Sequence, residues 1–137
     1  MRTALDTNIL SALWSHEALA NQIAKLLGEA RAQGGLVICA PVFVELMAHP
    51  SVTQDFVEEF LKETGIAVDF SLDEQVWRES AKGYAAYAHR RRRSGGDSPK
   101  RMLVDFVIAS HAWLHADRLM TLDPKRYSQD FPKLQIV

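Results

Sequence analysis

Four acidic residues stand among apolar neighbours in this sequence. Asp6 and Asp123 each follow a short apolar segment, and Glu45 is flanked by apolar residues on both sides. Asp105 lies near the start of the apolar stretch 102–116, and the residues three, four and seven positions later are core-type residues on the same helical face. Burying an unpaired carboxylate costs several kcal/mol or forces it to take up a proton. These four side chains are therefore the candidates for chemistry.

The chemistry that suits a group of carboxylates is the binding of a hard divalent cation. Carboxylates that are brought together repel one another, and Mg²⁺ or Mn²⁺ relieves that repulsion because both ions prefer oxygen ligands. Such an ion, partly coordinated by water, activates a nucleophile for the hydrolysis of phosphodiesters. If the four acids converge, the sequence predicts a metal-dependent phosphodiesterase site.

Each acid taken singly also has an ordinary structural explanation. Asp6 can cap a short helix, and Asp123, which precedes a proline, can belong to a turn. Asp105 can pair with Arg101 four positions earlier, and Glu45 can lie on an exposed helix face. These alternatives stay open, and only convergence of all four acids at one edge of a sheet favours a joint site.

Convergence requires a fold that brings distant acids together, and the pattern of the chain predicts one. Short apolar segments alternate with longer amphipathic ones, which indicates a mainly parallel sheet covered by helices on both faces. In such sheets functional groups collect at the carboxyl ends of the strands, where Asp6 and Asp123 fall. We predict strands at 2–5, 36–39, 66–68, 119–122 and 134–137, and helices at 16–33, 41–49, 53–64, 72–92 and 102–116.

The composition limits the architecture and the environment. With 137 residues, 47% of them hydrophobic, the chain fits one domain over residues 1–137 with a sizeable core. The one cysteine, Cys39, excludes an intrachain disulfide and fits a reducing cytoplasm. We also expect neither a signal peptide nor a membrane span, because no apolar stretch approaches the roughly 18 residues that a span needs.

Charge is distributed unevenly along the chain. Residues 1–74 carry 4 Lys and Arg against 11 Asp and Glu, whereas residues 75–137 carry 12 against 6. This asymmetry predicts either a surface that binds a polyanion or an ordinary solvated surface. The candidate contacts to RNA phosphates are Arg90, Arg91, Arg92, Arg93, Lys100 and Arg101.

Two histidines have a spacing that can bind zinc. His111 and His115 are four positions apart on a predicted helix, but the segment lacks the glutamate of a metalloprotease motif. We therefore favour a structural role for both histidines.

Four short motifs together resemble the acidic motifs of PIN-domain nucleases, and the resemblance extends over nearly the whole chain. Within that family, the length and the ending Tyr127, Phe131-Pro132 and Leu134 are most similar to VapC-type toxins of bacterial toxin–antitoxin pairs. The motifs are Leu5-Asp6-Thr7-Asn8, Val44-Glu45-Leu46, Val104-Asp105-Phe106-Val107-Ile108-Ala109 and Thr121-Leu122-Asp123.

The resemblance implies both a fold and an activity. The fold would be a three-layer α/β/α sandwich around a mainly parallel sheet, five-stranded by the pattern given above. The activity would be a Mg²⁺- or Mn²⁺-dependent endoribonuclease that cleaves a structured RNA such as tRNA or rRNA. The partners would be a cognate antitoxin protein and a second copy of the chain in a homodimer.

The resemblance also implies a role for each acid. Asp6 and Asp105 would bind the metal ion, and Asp123 would assist directly or through water. Glu45 would orient or deprotonate the attacking water. Two polar residues would support these ligands: Asn8 and Thr121.

Other functions remain possible at this point. An aspartate-nucleophile phosphatase also uses an acid after the first strand, but such enzymes carry Asp-x-Asp where this chain has Asp6-Thr7-Asn8. A non-catalytic RNA-binding scaffold predicts binding without cleavage. A nuclease that acts on DNA or in RNA processing would not arrest growth as a toxin does.

Overall fold

The computed structural model describes residues 1–15, 17–95 and 102–137. These residues form four strands and seven helices, which follow one another along the chain. They are β1 (Thr3–Leu5), α1 (Thr7–Ser15), α2 (Glu17–Gln33), β2 (Leu36–Cys39), α3 (Ala40–Met47), α4 (Gln54–Thr64), β3 (Ile66–Asp69), α5 (Glu74–Arg93), α6 (Leu103–His115), β4 (Arg118–Met120) and α7 (Lys125–Ser128).

The sheet is parallel throughout and has the strand order β3-β2-β1-β4. Ala4 of the central strand β1 pairs with Val37 of β2 on one side and with Leu119 of β4 on the other. The carboxyl ends of β2, β1 and β4 therefore meet at one edge. Three segments that directly follow these strands therefore lie at that edge: Asp6 after β1, the start of α3 after β2 and residues 121–123 after β4.

Helices cover both faces of the sheet. The chain moves from β1 through β2 to β3 in one direction and then returns from β3 to β4, so right-handed crossovers place α1–α4 on one face and α5–α6 on the other. The contacts agree, because α1 packs on α2 and α3 while α5 packs on α6. All four residues of β2 are buried, as the uninterrupted apolar run predicts for a strand covered on both faces. The prediction of an α/β/α sandwich is confirmed.

Local signals fix several helix ends. Thr53 caps α4 by accepting a hydrogen bond from the backbone N–H of Phe56, and Gly65 ends that helix with a φ of 69°. Asp73 caps α5 in the same way by accepting from Val76. The observed ends of α4 and α5 lie within two positions of the ends that the sequence predicts.

The structure differs from the sequence prediction at the last strand and by two additional helices. The predicted fifth strand at 134–137 is reduced to an isolated bridge between Leu119 and Ile136, so the described residues form a four-stranded sheet. Only two backbone hydrogen bonds hold this segment to β4, from Leu119 N to Gln135 O and from Val137 N to Leu119 O. In addition, residues 7–15 form helix α1 and residues 125–128 form the short helix α7, neither of which is predicted from the sequence. Of the helices in the described ranges, none is both long and apolar enough to cross a membrane.

Candidate active site

Asp6 lies at the centre of the acidic edge. It follows β1, and it is 3% exposed. Its Oδ1 accepts a hydrogen bond of 2.8 Å from the backbone N–H of Thr7. Its Oδ2 accepts two hydrogen bonds of 2.8 Å, from the hydroxyls of Thr121 and Tyr127. Three donors thus compensate the burial of this carboxylate.

Thr121 joins Asp6 to the segment that carries Asp123. Its hydroxyl donates to Asp6 and accepts from the backbone N–H of Asp123 at 3.1 Å and from the side-chain amide of Asn8 at 3.3 Å. Asn8 Oδ1 in turn accepts from the backbone N–H of Leu122 at 3.1 Å. Asn8 and Thr121 therefore hold the turn after β4 against the segment that follows β1.

Asp105 and Asp123 share one cation. The guanidinium of Arg126 lies with Nη1 3.7 Å from Oδ1 of Asp105 and with Nε 3.3 Å from Oδ2 of Asp123. Asp105 is 8% exposed and lies in the first turn of α6, where the helix N-terminus favours a negative charge. Burial lowers the pKa of Arg126, but the charges of Asp105 and other neighbours outweigh that effect and raise it. The guanidinium is therefore held in its charged form.

Glu45 reaches the same edge from α3, the helix that follows β2. It is half-buried, and its Oε1 accepts a hydrogen bond from the hydroxyl of Thr7. The backbone N–H of Thr7 meanwhile donates to Asp6. Thr7 thus links Glu45 to Asp6, and the four acids form one network bridged by hydroxyls and a guanidinium.

Tyr127 contributes a phenol that stays protonated in this network. Burial raises its pKa, and the negative charges of Asp6 and Asp105 raise it further. The phenol is therefore a hydrogen-bond donor to Asp6 throughout the physiological pH range and is unsuited to act as a base.

The donor set matches a hard cation in chemistry. Neither a thiolate nor an imidazole takes part in the contacts of the acids described above. Mg²⁺ commonly binds through one or two carboxylates and completes its coordination shell with water. Within the described ranges, however, no three His, Cys, Asp or Glu side chains surround one point closely enough to hold an ion. The positive charge between Asp105 and Asp123 is supplied by Arg126. The residues fit a metal ion that takes few protein ligands.

A family model for the PIN domain matches residues 3–131 of this chain. The chain belongs to the PIN-domain family. No curated protein sequence matches it.

Two solved structures share the fold of this PIN domain. VapBC-1 of nontypeable Haemophilus influenzae is 24% identical with a TM-score of 0.65, and the match covers 100% of this chain and 97% of that one. VapBC2 of Rickettsia felis, bound to a DNA fragment from its promoter, is 22% identical with a TM-score of 0.62, and the match covers 100% and 98%. At these identities the likeness establishes the fold.

The structure brings the four predicted acids to one edge of the sheet. No bridging role was predicted from the sequence for Thr7, Arg126 or Tyr127, although Thr7 and Tyr127 were named within its motifs. Thr7 is adjacent to Asp6, and its hydroxyl could have been noticed for that reason. Arg126 stands three positions after Asp123, a spacing that allows a pair on a helical turn. The partner suggested for Asp105 was Arg101, which lies outside the described residues.

The basic run of the PIN domain is partly used for packing. Arg90 pairs with the buried carboxylate of Asp130, and Arg91 is half-buried. Arg92 and Arg93 are exposed at the end of α5. Lys100, like Arg101, lies outside the described residues. Because Asp130 is three positions after Tyr127, its ion pair places the basic end of α5 beside the segment that carries Tyr127.

The two histidines of α6 each pair with a carboxylate. His111 Nε2 lies 3.1 Å from Oδ2 of Asp69, and His115 Nε2 lies 3.0 Å from Oδ2 of Asp73. These contacts tie α6 to the connection between β3 and α5. This arrangement agrees with the structural role that the sequence favours for both histidines.

Proposed function

We propose that this PIN domain is a Mg²⁺- or Mn²⁺-dependent endoribonuclease and the toxin of a VapC-type toxin–antitoxin pair. The observation that carries the proposal is the placement of Asp6. A carboxylate that is 3% exposed forms the hub of a network with Asp105, Asp123 and Glu45 at the carboxyl edge of the sheet. Family membership makes a nuclease the activity to expect of that edge.

Each acid of the network would have its own role in phosphodiester hydrolysis. Asp6 and Asp105 would hold the ion, with Asp123 contributing directly or through water. The bound ion would supply Lewis acidity and lower the pKa of a coordinated water. Glu45, half-buried and oriented by the Thr7 hydroxyl, would accept the proton of the attacking water.

The hydrogen bonds of the network support a ligand role for Asp6 over a nucleophilic one. An aspartate-nucleophile phosphatase needs a carboxylate oxygen that can attack phosphorus. In this structure Oδ1 of Asp6 accepts from Thr7, and Oδ2 accepts from two hydroxyls. These bonds stabilise the anion and reduce its nucleophilicity. A non-catalytic scaffold, for its part, does not require four acids to meet at one edge of the sheet.

RNA is the proposed substrate, and the exposed cations suggest how it would be held. Arg92 and Arg93 lie at the end of α5, which the Arg90–Asp130 pair joins to the segment carrying Tyr127. Contacts from these arginines to phosphates would position a structured RNA such as tRNA or rRNA without reading its sequence.

The proposed partners are an antitoxin protein and a second copy of the chain. The solved relatives are VapBC structures, which this chain matches over almost their whole length, and they support the antitoxin. The homodimer rests on the resemblance of the sequence to VapC-type toxins. An antitoxin that covers the acidic edge or its approaches would silence the activity. Growth arrest on expression of the chain alone, relieved by coexpression of the neighbouring small reading frame, is the expected behaviour.

The test compares Asp6→Asn with a matched control. Asp55 is exposed in the first turn of α4, so Asp55→Asn makes the same chemical change away from the site. The purified proteins are incubated with structured RNA in Mg²⁺, in Mn²⁺ and in a chelator. We expect metal-dependent cleavage by the wild type and by Asp55→Asn, and none by folded Asp6→Asn. RNA binding without cleavage would support the scaffold, and a trapped phosphoryl-enzyme would support the phosphatase.

A further inference from the structure

We propose that Arg126 is an internal competitor of the divalent cation, so that its guanidinium occupies the cation position until a metal ion displaces it. The inference rests on the proposed metal-dependent function. It adds that a side chain of the protein itself lowers the affinity of the site for the divalent ion.

The geometry of Arg126 is that of a counter-ion shared by two acids. It approaches Asp105 at 3.7 Å and Asp123 at 3.3 Å, and these two residues lie on separate elements, α6 and the turn after β4. The same two carboxylates are proposed to face the metal ion. A guanidinium and a divalent cation between them would repel each other, and so the two occupants compete.

The contacts of Arg126 are loose enough to be exchanged. Bidentate pairs between arginine and carboxylate have donor–acceptor distances of about 2.7–2.9 Å, and both contacts here are longer. The side chain is also 40% exposed, so solvent can receive the guanidinium when it leaves. The guanidinium can therefore leave for solvent, and the free energy of its displacement is subtracted from that of metal binding.

The helix that carries Arg126 provides a fixed base for this movement. Its neighbour Tyr127 is fully buried and donates to Asp6. The short helix α7 thus brings two side chains to the acids, of which Tyr127 is anchored and Arg126 is free to swing outward. The proposed movement is confined to the side chain of Arg126 and leaves the hydrogen bond between Tyr127 and Asp6 in place.

Removal of the competing charge should tighten metal binding. At a separation of about 6 Å and the dielectric constant of water, roughly 80, the repulsion between a unit charge and a divalent ion corresponds to about a tenfold change in binding constant. Lys125 offers a matched control, because it is exposed on the same helix and has no ion pair within the part of the chain that the structure describes.

The experiment measures Mn²⁺ binding to the full chain by the electron paramagnetic resonance signal of free Mn²⁺. Wild type, Arg126→Gln, Lys125→Gln and Asp6→Asn are compared without RNA. We expect Arg126→Gln to bind Mn²⁺ about tenfold more tightly than wild type, and Lys125→Gln to stay within about twofold. Equal tightening by both variants would reduce the effect to net charge, and unchanged or weaker binding by Arg126→Gln would overturn the competition.

Asp6→Asn separates the failure of this inference from the failure of the proposed function. If Asp6→Asn binds Mn²⁺ as well as the wild type, the ion is not bound at the acidic edge and both proposals fall. If Asp6→Asn loses the ion but Arg126→Gln gains no affinity, only the competition is overturned.

A second measurement uses the wild type and does not depend on the folding of a variant. The Nε–H resonance of Arg126 is followed in a ¹⁵N-labelled sample as Mg²⁺ is added. Displacement predicts a shift and faster exchange with water at metal concentrations that saturate the site. A resonance that stays unchanged at saturation would overturn the proposal.

Discussion

The hydroxyl of Tyr127 donates a 2.8 Å hydrogen bond to Oδ2 of Asp6, a residue 121 positions earlier in the chain. The contact joins α7 to the end of β1, and both side chains are buried. Burial and the neighbouring negative charges raise the pKa of Tyr127, so the phenol keeps its proton and remains the donor of this hydrogen bond. Tyr127 thus helps to hold in place the side chain at the centre of the acidic edge.

Tyr127→Phe should destabilise the protein. The change removes one donor from a buried carboxylate, at an expected cost of about 1–3 kcal/mol in the free energy of unfolding. Tyr84→Phe is the control, because Tyr84 packs against Phe106 and its hydroxyl has no hydrogen bond among the described residues. Urea denaturation should show a loss of less than about 0.5 kcal/mol for the control. Equal losses in the two variants would argue against a special role for the Tyr127 hydroxyl.

Two buried serines should respond oppositely to alanine. Ser80 donates to the carbonyl oxygens of Val76 at 2.7 Å and Phe106 at 3.3 Å, whereas Ser110 has no partner for its hydroxyl among the described residues. We expect Ser80→Ala to cost about 1 kcal/mol and Ser110→Ala to be neutral or stabilising. Thermal and urea unfolding of both variants will check this. A Ser110→Ala protein as unstable as Ser80→Ala would show that its hydroxyl is bonded in solution.

Acidification should destabilise the fold through His111. Burial lowers its pKa below the ordinary 6.5, and the neighbouring Asp69 only partly offsets that effect. His111 therefore binds a proton more readily in the unfolded chain than in the folded one. Its contribution to the free energy of unfolding is present at neutral pH and is lost as the pH falls below about 6.5. The measurement is the free energy of unfolding between pH 8 and pH 5 for wild type and His111→Gln. The variant should show the shallower dependence, and identical slopes would contradict the prediction.

Divalent cations should stabilise the folded protein by mass action. At an Mn²⁺ concentration about a hundredfold above the dissociation constant, the free energy of unfolding should rise by about 2.7 kcal/mol. Asp6→Asn should lose most of that increase relative to its own metal-free sample, while Asp55→Asn should keep it. Differential scanning calorimetry with and without Mn²⁺ gives the comparison. A full increase in Asp6→Asn would place the ion elsewhere.

The cleavage products should carry a 5′-phosphate and a 3′-hydroxyl. A water that attacks phosphorus makes no use of the ribose 2′-hydroxyl, and so a site with a methylated 2′-oxygen should still be cut unless that hydroxyl is needed for recognition. End-labelling of the fragments distinguishes this outcome from a 2′,3′-cyclic phosphate. A cyclic phosphate among the primary products would exclude the role proposed for Glu45.

The sequence by itself predicted four of the strands and five of the helices, and it pointed to the acids. Uninterrupted apolar runs such as 36–39 indicate strands buried on both faces, and caps such as Thr53 and Gly65 mark the helix ends. An acid among apolar neighbours, such as Asp105, stands out because burial of its charge requires compensation. All of these signals depend on residues that are close together in the sequence, and so the sequence alone is enough to recognise them.

Only the tertiary structure decided how those acids are compensated. Among the described residues Arg126 lies beside Asp105, although the two are far apart in the sequence, and Tyr127 of α7 reaches Asp6 at the end of β1. Packing also assigned Arg90 to the buried Asp130, although its charge resembles that of Arg92 in the sequence. Hydrogen bonds and ion pairs depend on distances of a few ångströms between elements. The order of residues does not record those distances, which are set by the register of the strands and the packing of the helices upon them.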